Sequence, residues 1–287
     1  MGFNGALLIV RFLVFNVHKG VPTVSHENHL SHELRLAEKA AREAGDIIMA
    51  LYGKDYQIRE KGIGQPVTTA DLEANAKIQE IILGGFPDDG WLSEESRDDP
   101  GRLNKSRVWV IDPIDGTREF IQCVPQFAVS IGLVIDGSPA VGVVYNPAEE
   151  KCFVAIRGVG AKLNDSPIRV SSRKDPWGAR LLVSRSERPR RFSPFIDRYQ
   201  VEPIGSIAYR LGLVAGGKGD GTITLHSVSE WDICAGALIV EEAGGVVVDG
   251  DGRSLDFNKA VPTCRGLVAS NGSLTEGIRE ILVKQLR

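Results

Sequence analysis

Residues 108–120 constrain this chain more than any other segment, because an apolar run ends directly in two acids, a proline and a Gly-Thr pair. Asp112 and Asp115 lie three residues apart across a turn favoured by Pro113 and Gly116. Both carboxylates can therefore converge at the end of one strand. Mg²⁺ takes oxygen ligands of this kind and completes its shell with substrate phosphate. The pattern predicts a strand that ends in a metal site.

The Gly116-Thr117 pair supports this interpretation. It places backbone N–H groups and a hydroxyl beside the acids, which suits the binding of a phosphate or a water. The alternative is an Asp-rich turn that only caps a helix at Thr117. We favour the metal site because the segment follows a β-rich run.

Composition limits the class of protein. The chain has 287 residues, of which 43% are hydrophobic and 25% charged, as in an ordinary globular protein of one compound domain or two. A net charge of −3 excludes a strongly basic surface, so no nucleic-acid polymer is expected as a partner. The cysteines contain no C-x-x-C pair, which argues against a zinc knuckle or a disulfide framework and fits a reducing cytoplasm; they are Cys123, Cys152, Cys234 and Cys264.

Residues 1–30 are interpreted as an extension of unknown role. The apolar run at 6–15 contains Arg11 and is too short to span a membrane, and it lacks a clear basic start and cleavage site. We therefore expect no membrane anchor. A histidine cluster follows and is either a metal-binding tract or, as we favour, a solvated linker; its members are His18, His26, His29 and His32.

The periodicity of residues 31–173 predicts an α+β domain. Apolar residues at helical spacing predict a helix over 34–52 that Ser31 caps, and a second helix that Asp71 caps and that ends at 83. Apolar runs predict strands at 108–111, 127–135, 140–145 and 152–156, with a hairpin turn at 136–137.

Residues 174–287 alternate between the two element types. Strands are predicted at 180–184, 221–225, 245–249 and 267–269, and helices at 206–214, at 234–243 and from 273 onward. This order predicts an α/β domain. We expect the site motifs of both halves to meet in a cleft between them.

Four ordered motifs resemble one family. The D-P-I-D-G-T segment at 112–117 is similar to the signature of the inositol monophosphatase superfamily of Mg²⁺-dependent, lithium-sensitive phosphomonoesterases. The other three are P-V-T-T-A-D at 66–71, W-L-S-E-E-S at 91–96, and E-W-D-I-C-A-G at 230–236 with E-A-G-G at 242–245. The resemblance covers about residues 31–270 and implies a layered αβαβα fold.

The resemblance also implies a site. Two or three Mg²⁺ ions would be held by Glu94, Asp112, Asp115, Asp232 and the carbonyl of Ile114. Thr117 would orient the attacking water together with Glu94, and Asp71 would tie Thr117 into the network. The substrate would contact Asp115, Gly116, Thr117, Arg185, Ser206 and Asp232. The local surroundings of Asp232 alone favour a helix cap, since it precedes an apolar helix, but the motif favours a ligand, because one carboxylate can cap and still ligate.

The residues next to the motifs bear on the substrate, a small phosphorylated metabolite. Arg118-Glu119-Phe120, Ser184-Arg185-Ser186 and Gly205-Ser206 resemble segments of 3′(2′),5′-bisphosphate nucleotidases. Leu225 stands where inositol monophosphatases place a glutamate. Tyr209 departs from the nucleotidase pattern, which has a lysine there, and the upstream arginine of the nucleotide pocket is missing; Arg210 or His226 could replace them.

We therefore expect 3′-phosphoadenosine 5′-phosphate as the preferred substrate. The alternatives are inositol-1-phosphate, another sugar phosphate or histidinol phosphate. A catalytically retired regulatory binding protein is the alternative from another class, but each implied ligand position carries its acid. The assembly is expected to be a monomer or a homodimer.

Overall fold

The computed structural model of the chain describes residues 30–62, 64–186 and 197–285. The extension at 1–29, with His18, His26 and His29, lies outside these residues, whereas His32 lies in the first helix. No helix within the described ranges is long and apolar enough to cross a membrane.

The helices occur where the sequence predicts them, with one addition. They are α1 (Ser31–Leu51), α2 (Thr69–Gly85), α3 (Thr117–Ile121), α4 (Ile207–Ala215), α5 (Glu230–Glu242) and α6 (Thr275–Gln285). The short α3 corresponds to the helix that the alternative interpretation places at Thr117. A 3-10 helix also spans Pro100–Asn104.

Two predicted caps are wrong. Leu30 occupies the cap position of α1, and Ser31 is the first helical residue. Thr68 caps α2, where its side chain accepts from the backbone N–H of Asp71. Asp71 is the third helical residue, and its carboxylate accepts from the backbone N–H of Thr68, so the pair forms a capping box.

The first large sheet has seven strands in the order β3-β4-β5-β6-β7-β8-β9. They are β3 (Gly90–Ser93), β4 (Arg107–Asp115), β5 (Ala128–Ile135), β6 (Ser138–Asn146), β7 (Lys151–Ile156), β8 (Gly160–Leu163) and β9 (Ser166–Pro167). β3 runs parallel to β4, and the other neighbours are antiparallel. The predicted turn at 136–137 joins β5 to β6, with both turn residues at positive φ.

The second large sheet has five strands in the order β11-β10-β12-β14-β13. They are β10 (Ala179–Ser184), β11 (Tyr199–Ile204), β12 (Gly221–Ser229), β13 (Val246–Asp249) and β14 (Thr263–Ser270). β10 runs parallel to β11 and β12, whereas β14 is antiparallel to β12 and β13. A separate hairpin consists of β1 (Ile58–Gly62) and β2 (Gln65–Thr68).

Apolar residues on both faces of the sheets explain how the layers stack. Trp109 and Ile111 of β4 pack with α1 and α2, whereas the alternating Val108 and Val110 pack with α4 and α5. The second sheet covers the opposite side of α4 and α5, and α6 packs on its outer face. The predicted αβαβα layering is confirmed.

Helix α5 lies unusually close to the first sheet. Gly132 and Gly142 are paired across β5 and β6 beneath it. A Cβ atom would lie 2.6 Å from Sγ of Cys234 at position 132, and 2.7 Å from the carbonyl oxygen of Ala235 at position 142. Glycine therefore permits this approach, which brings the N-terminus of α5 to the end of β4.

Candidate metal centre and active site

The end of β4 is irregular at the two acids. Asp112 pairs with Ser130 and Asp115 with Ala128, so two residues of β4 oppose a single residue of β5 between these pairs. Within this bulge the N–H of Ile114 donates to Oδ1 of Asp112 at 2.9 Å. Gly116 follows at φ +97°, in the left-handed region that favours glycine. The bulge turns Asp112 inward and leaves Asp115 at the edge of the cleft.

Three acids from three segments meet at this point. Ligand oxygens of Glu94, Asp112 and Asp232 all lie within 4.8 Å of one another. Glu94 follows β3, where its N–H donates to the carbonyl of Ile111 on β4. Ser229 occupies the cap position of α5, and Asp232 is the third helical residue, whose Oδ2 accepts from the N–H of Ser229 at 3.3 Å in a capping box while it also faces the other acids. The segments that the motifs predict are thus brought together.

Electrostatic repulsion is strong in this cluster. Burial raises the pKa of Asp112 well above its usual range, and the charges of Glu94, Asp115 and Asp232 raise it further. Burial likewise raises the pKa of Asp232 well above its usual range, with Asp115 and Glu94 adding to the shift. Hard oxygen donors that repel one another this closely fit a divalent cation.

Asp115 lies beside the three acids but is held differently. Its Oδ2 accepts from the hydroxyl of Ser206 at 2.6 Å and from the N–H of Ala208 at 2.6 Å. Burial raises the pKa of Asp115 to about 6, and these hydrogen bonds act against the shift. Ser206 caps α4 by accepting from the N–H of Tyr209, at a φ of +56°. The first turn of α4 therefore fixes the carboxylate of Asp115.

Thr117 and Asp71 form a second polar group. The hydroxyl of Thr117 lies 3.1 Å from Oδ1 of Asp71 and 3.1 Å from the carbonyl oxygen of Ile114. Asp71 is buried, and its Oδ2 accepts from the N–H and the hydroxyl of Thr68 at 2.7 and 2.6 Å. These contacts leave Thr117 at the cleft wall with its orientation fixed.

One cation in the site has no counterpart in the sequence motifs. Nζ of Lys61, on β1, lies 2.9 Å from Oε1 of Glu94 and 2.5 Å from Oε1 of Glu95. The Glu95 side chain is only 3% exposed, so Lys61 pairs with a buried carboxylate as well as with Glu94. The sequence around Lys61 does not predict this role, because only tertiary folding brings the lysine to the acids.

Glu94 and Asp115 line a cleft of about 450 Å³. One wall contains Glu94, Asp115, Gly116 and Thr117, and the opposite wall contains Ser184, Ser186, Arg210, Thr224 and His226. Arg185 is exposed beside this wall, and its positive charge opposes the rise that burial causes in the pKa of Glu119.

Three substrate-related residues are also placed by the structure. Arg210 is buried and donates to the hydroxyls of Thr222 and Thr224 while lining the cleft. Tyr209 points elsewhere, since its hydroxyl donates to Glu149 at 2.7 Å. Leu225 belongs to the apolar cluster under α6, so the cleft-facing positions of β12 are its neighbours at 224 and 226.

An αβαβα fold with clustered carboxylates at a bulged strand end is typical of metal-dependent phosphatases. Residues 29–287 match the family model described as the inositol monophosphatase family. The chain belongs to the inositol monophosphatase family, and it is a metal-dependent phosphatase that acts on small phosphorylated substrates.

Individual relatives agree with this assignment. An inositol-1-monophosphatase from Synechocystis is 38% identical over 260 residues, covering 87% of this chain and 88% of the relative. A protein named Nus factor SuhB from Pasteurella multocida is 38% identical over 230 residues, covering 76% and 85%.

Solved structures are similar throughout the described fold. The Thermotoga maritima IMPase has a TM-score of 0.81 at 29% identity, covering 89% of this chain and 98% of that chain. CysQ from Bacteroides thetaiotaomicron has a TM-score of 0.71 at 26% identity, covering 85% and 98%. The predicted superfamily is confirmed.

Proposed function

We propose that this protein is a Mg²⁺-dependent phosphomonoesterase whose reaction takes place at the bulged end of β4. The observation that carries the proposal is the convergence of Glu94, Asp112 and Asp232 beside Thr117. Asp115 and the carbonyl of Ile114 complete the oxygen donors. When bound, Mg²⁺ would neutralise the phosphate, lower the pKa of a water and stabilise the leaving oxygen.

The chain's own groups would position the reactants. Thr117 can donate its hydroxyl proton to the carboxylate of Asp71, which leaves the hydroxyl oxygen able to accept from a water in the cleft. Glu94 lies on the same wall and would orient that water from a second direction. The N–H groups of Gly116 and Thr117 would bind the phosphate oxygens, because they begin the short helix α3.

The substrate that we propose is 3′-phosphoadenosine 5′-phosphate. The opposite wall of the cleft carries Arg210 and His226, with Arg185 exposed next to it. A guanidinium can hold a second phosphate through two parallel hydrogen bonds. The binding energy of that remote phosphate would also orient the scissile one.

Inositol-1-phosphate is the second candidate. The identity to the Synechocystis inositol-1-monophosphatase favours it. One argument against inositol-1-phosphate is that a leucine stands at position 225 in place of a glutamate. Because Leu225 faces the core, this difference does not alter the cleft wall, and the argument is weakened. A regulatory binding role without turnover is a further candidate, favoured by the relative named Nus factor SuhB.

A turnover panel tests these assignments. We expect kcat/KM for 3′-phosphoadenosine 5′-phosphate to exceed that for inositol-1-phosphate by at least ~10-fold, the equivalent of one charged contact. Arg185→Ala should reduce this ratio and leave hydrolysis of a small phosphate nearly unchanged. Equal or better turnover of inositol-1-phosphate would contradict the nucleotidase assignment only. No turnover of any phosphate ester with Mg²⁺ would contradict the proposal of a Mg²⁺-dependent phosphomonoesterase.

The setting of the enzyme is part of the same proposal. The scattered cysteines support a cytoplasmic location, and three of them, Cys152, Cys234 and Cys264, are buried. We propose a monomer or a homodimer, which light scattering with and without Mg²⁺ would distinguish.

A further inference from the structure

A buried arginine links the segment that carries Glu94 to a loop at residues 258–259. Arg102 is 2% exposed and lies in the 3-10 helix that follows the Glu94 turn. Its Nε and Nη2 donate to the two carboxylate oxygens of Asp98 at 2.6 and 3.0 Å. Its Nη1 donates to Oδ1 of Asn258 at 2.6 Å, and Nη2 also donates to the carbonyl of Lys259 at 3.0 Å. A guanidinium buried in this way holds its partners in a fixed geometry.

Glu230 holds the same loop from the other side. It is 1% exposed, and its carboxylate accepts from the N–H groups of Asn258 at 2.6 Å and Lys259 at 3.2 Å. Asn258 adopts a φ of +62°, which directs its side chain to Arg102 and its N–H to Glu230. We call Arg102, Asn258, Lys259 and Glu230 the Arg102–Glu230 bridge.

Each end of the bridge lies close to a cluster acid along the chain. Glu230 is the first residue of α5, two residues before Asp232. At the other end, Asp98 receives the paired hydrogen bonds of Arg102 four residues after Glu94. Glu94 and Asp232 repel each other, so their approach requires that the surrounding segments be held together.

We propose that Arg102 and Glu230 are positioning residues that hold Glu94 and Asp232 at the separation a divalent cation requires. This inference rests on the proposed function, because it assumes that those two acids are metal ligands. The bridge does not touch the reacting groups. It acts by orienting the segments that carry the ligands, and such supporting contacts govern metal affinity.

The helix α5 itself offers a matched control. At its C-terminal end, Glu242 also accepts from two loop N–H groups, those of Gly158 at 2.8 Å and Gly160 at 2.9 Å. Glu230→Gln and Glu242→Gln therefore remove the same kind of clamp from opposite ends of one helix. Both changes should lower the melting temperature, but only Glu230→Gln should disturb the acids.

The test is Mg²⁺ binding to the full-length protein, measured by calorimetry without substrate. We expect Glu230→Gln to weaken Mg²⁺ binding at least ~10-fold, the range found when contacts that orient metal ligands are removed. Glu242→Gln should stay within about twofold of the wild type, since no ligand contact changes. Asn258→Gly is the second variant, because glycine tolerates the positive φ while the hydrogen bond from Nη1 of Arg102 to the Asn258 side chain is lost. It should fold and also weaken binding.

The outcomes separate a positioning role from a purely structural one. Unchanged Mg²⁺ affinity in folded Glu230→Gln and Asn258→Gly would overturn the inference, as would an equal loss in Glu242→Gln. Asp232→Asn serves as the reference for the metal site. If Asp232→Asn keeps wild-type affinity, the metal assignment itself fails, and this inference fails with it.

Discussion

The hydroxyl of Thr117 and Oδ1 of Asp71 lie 3.1 Å apart, which joins the start of α3 to the first turn of α2. The same hydroxyl is 3.1 Å from the carbonyl oxygen of Ile114, so two acceptors compete for its single proton. Burial raises the pKa of Asp71, against the hydrogen bonds from Thr68 and Thr117. The hydroxyl is thus oriented by fixed neighbours before any substrate arrives.

Replacing Thr117 tests whether this hydroxyl positions the water. We expect Thr117→Val to lower kcat by at least ~10²-fold, comparable to the loss of one preorganised contact, with KM changed little. Thr117→Ser keeps the hydroxyl and should retain most of the activity. A change confined to KM in steady-state kinetics would instead make Thr117 a phosphate-binding residue.

Asp112→Asn tests the metal cluster by activity and stability together. We expect phosphatase activity to fall by at least ~10²-fold, because a ligand charge is lost while the size is kept. Without Mg²⁺ the variant should be more stable than the wild type, because the buried carboxylate of Asp112 no longer has to be charged beside Glu94, Asp115 and Asp232. Chemical denaturation in the presence of a chelator measures this gain.

Asp89, a partly buried acid outside the cluster, provides the control for that experiment. Asp89 accepts from Nε of Arg107 at 2.9 Å and from the indole N–H of Trp109 at 2.9 Å. Asp89→Asn therefore removes an attraction instead of a repulsion, and it should lower stability while leaving Mg²⁺ dependence unchanged. Equal destabilisation by both substitutions would contradict the repulsive cluster.

Strong periodicity explains which elements the sequence predicts. Strand β4 begins with a continuous apolar run, because both of its faces are buried. In contrast, no pattern predicts β11, whose residues include Glu202 and Pro203. It is the edge strand of the second sheet, so it pairs on one side only and tolerates a proline there. The charged strand β1 is mostly exposed, and it too lacks an apolar pattern.

The candidate site likewise contains residues that the sequence predicts and residues that only the structure reveals. The spacing of Asp112 and Asp115 at a strand end predicts a metal site, whereas Glu94 and Asp232 are predicted as ligands only by the family resemblance of their motifs. Lys61 reaches Glu94 only through the hairpin fold, and Arg102 reaches Asn258 only through a contact 156 residues apart. Neither contact leaves a local pattern, since each depends on the packing of distant segments.

The raised pKa values of the cluster acids predict how the stability of the metal-free protein depends on pH. Asp115 has its pKa raised to about 6, and Asp112 and Asp232 are also shifted upward. The folded state therefore binds more protons than the unfolded state between about pH 4, the unfolded value, and the folded values. Stability from these groups is lost as pH rises through the folded pKa values.

Thermal unfolding at two pH values measures this effect. We expect the protein with a chelator to be more stable at about pH 5.5, inside the region of titration, than at about pH 7.5, above the pKa of about 6 of Asp115. Saturating Mg²⁺ should reduce or reverse the difference, because the cation binds the deprotonated acids. Asp112→Asn should show a smaller difference than the wild type. A chelated wild-type protein that is less stable at the lower pH would contradict the repulsive cluster.

Ser206 combines a strained backbone with two hydrogen bonds, and two substitutions separate these contributions. Both Ser206→Ala and Ser206→Gly remove the hydroxyl that donates to Asp115 and accepts from Tyr209. Alanine keeps the unfavourable φ of +56°, which costs about 1–3 kcal/mol, whereas glycine relieves it. The greater entropy of glycine in the unfolded state offsets about 0.4–1 kcal/mol of this gain. Ser206→Gly should therefore remain more stable than Ser206→Ala by about 1 kcal/mol.

Both variants should share one catalytic effect. Loss of the Ser206 hydroxyl removes a hydrogen bond that lowers the pKa of Asp115, so this pKa should rise above its value of about 6. At subsaturating Mg²⁺, where protons and the cation compete for this carboxylate, the acidic limb of the kcat/KM profile should then move to higher pH equally in Ser206→Ala and Ser206→Gly. If the acidic limb of the profile does not move in either variant, Ser206 acts on the fold alone. The melting temperatures of the two variants report the effect of the positive φ on stability separately.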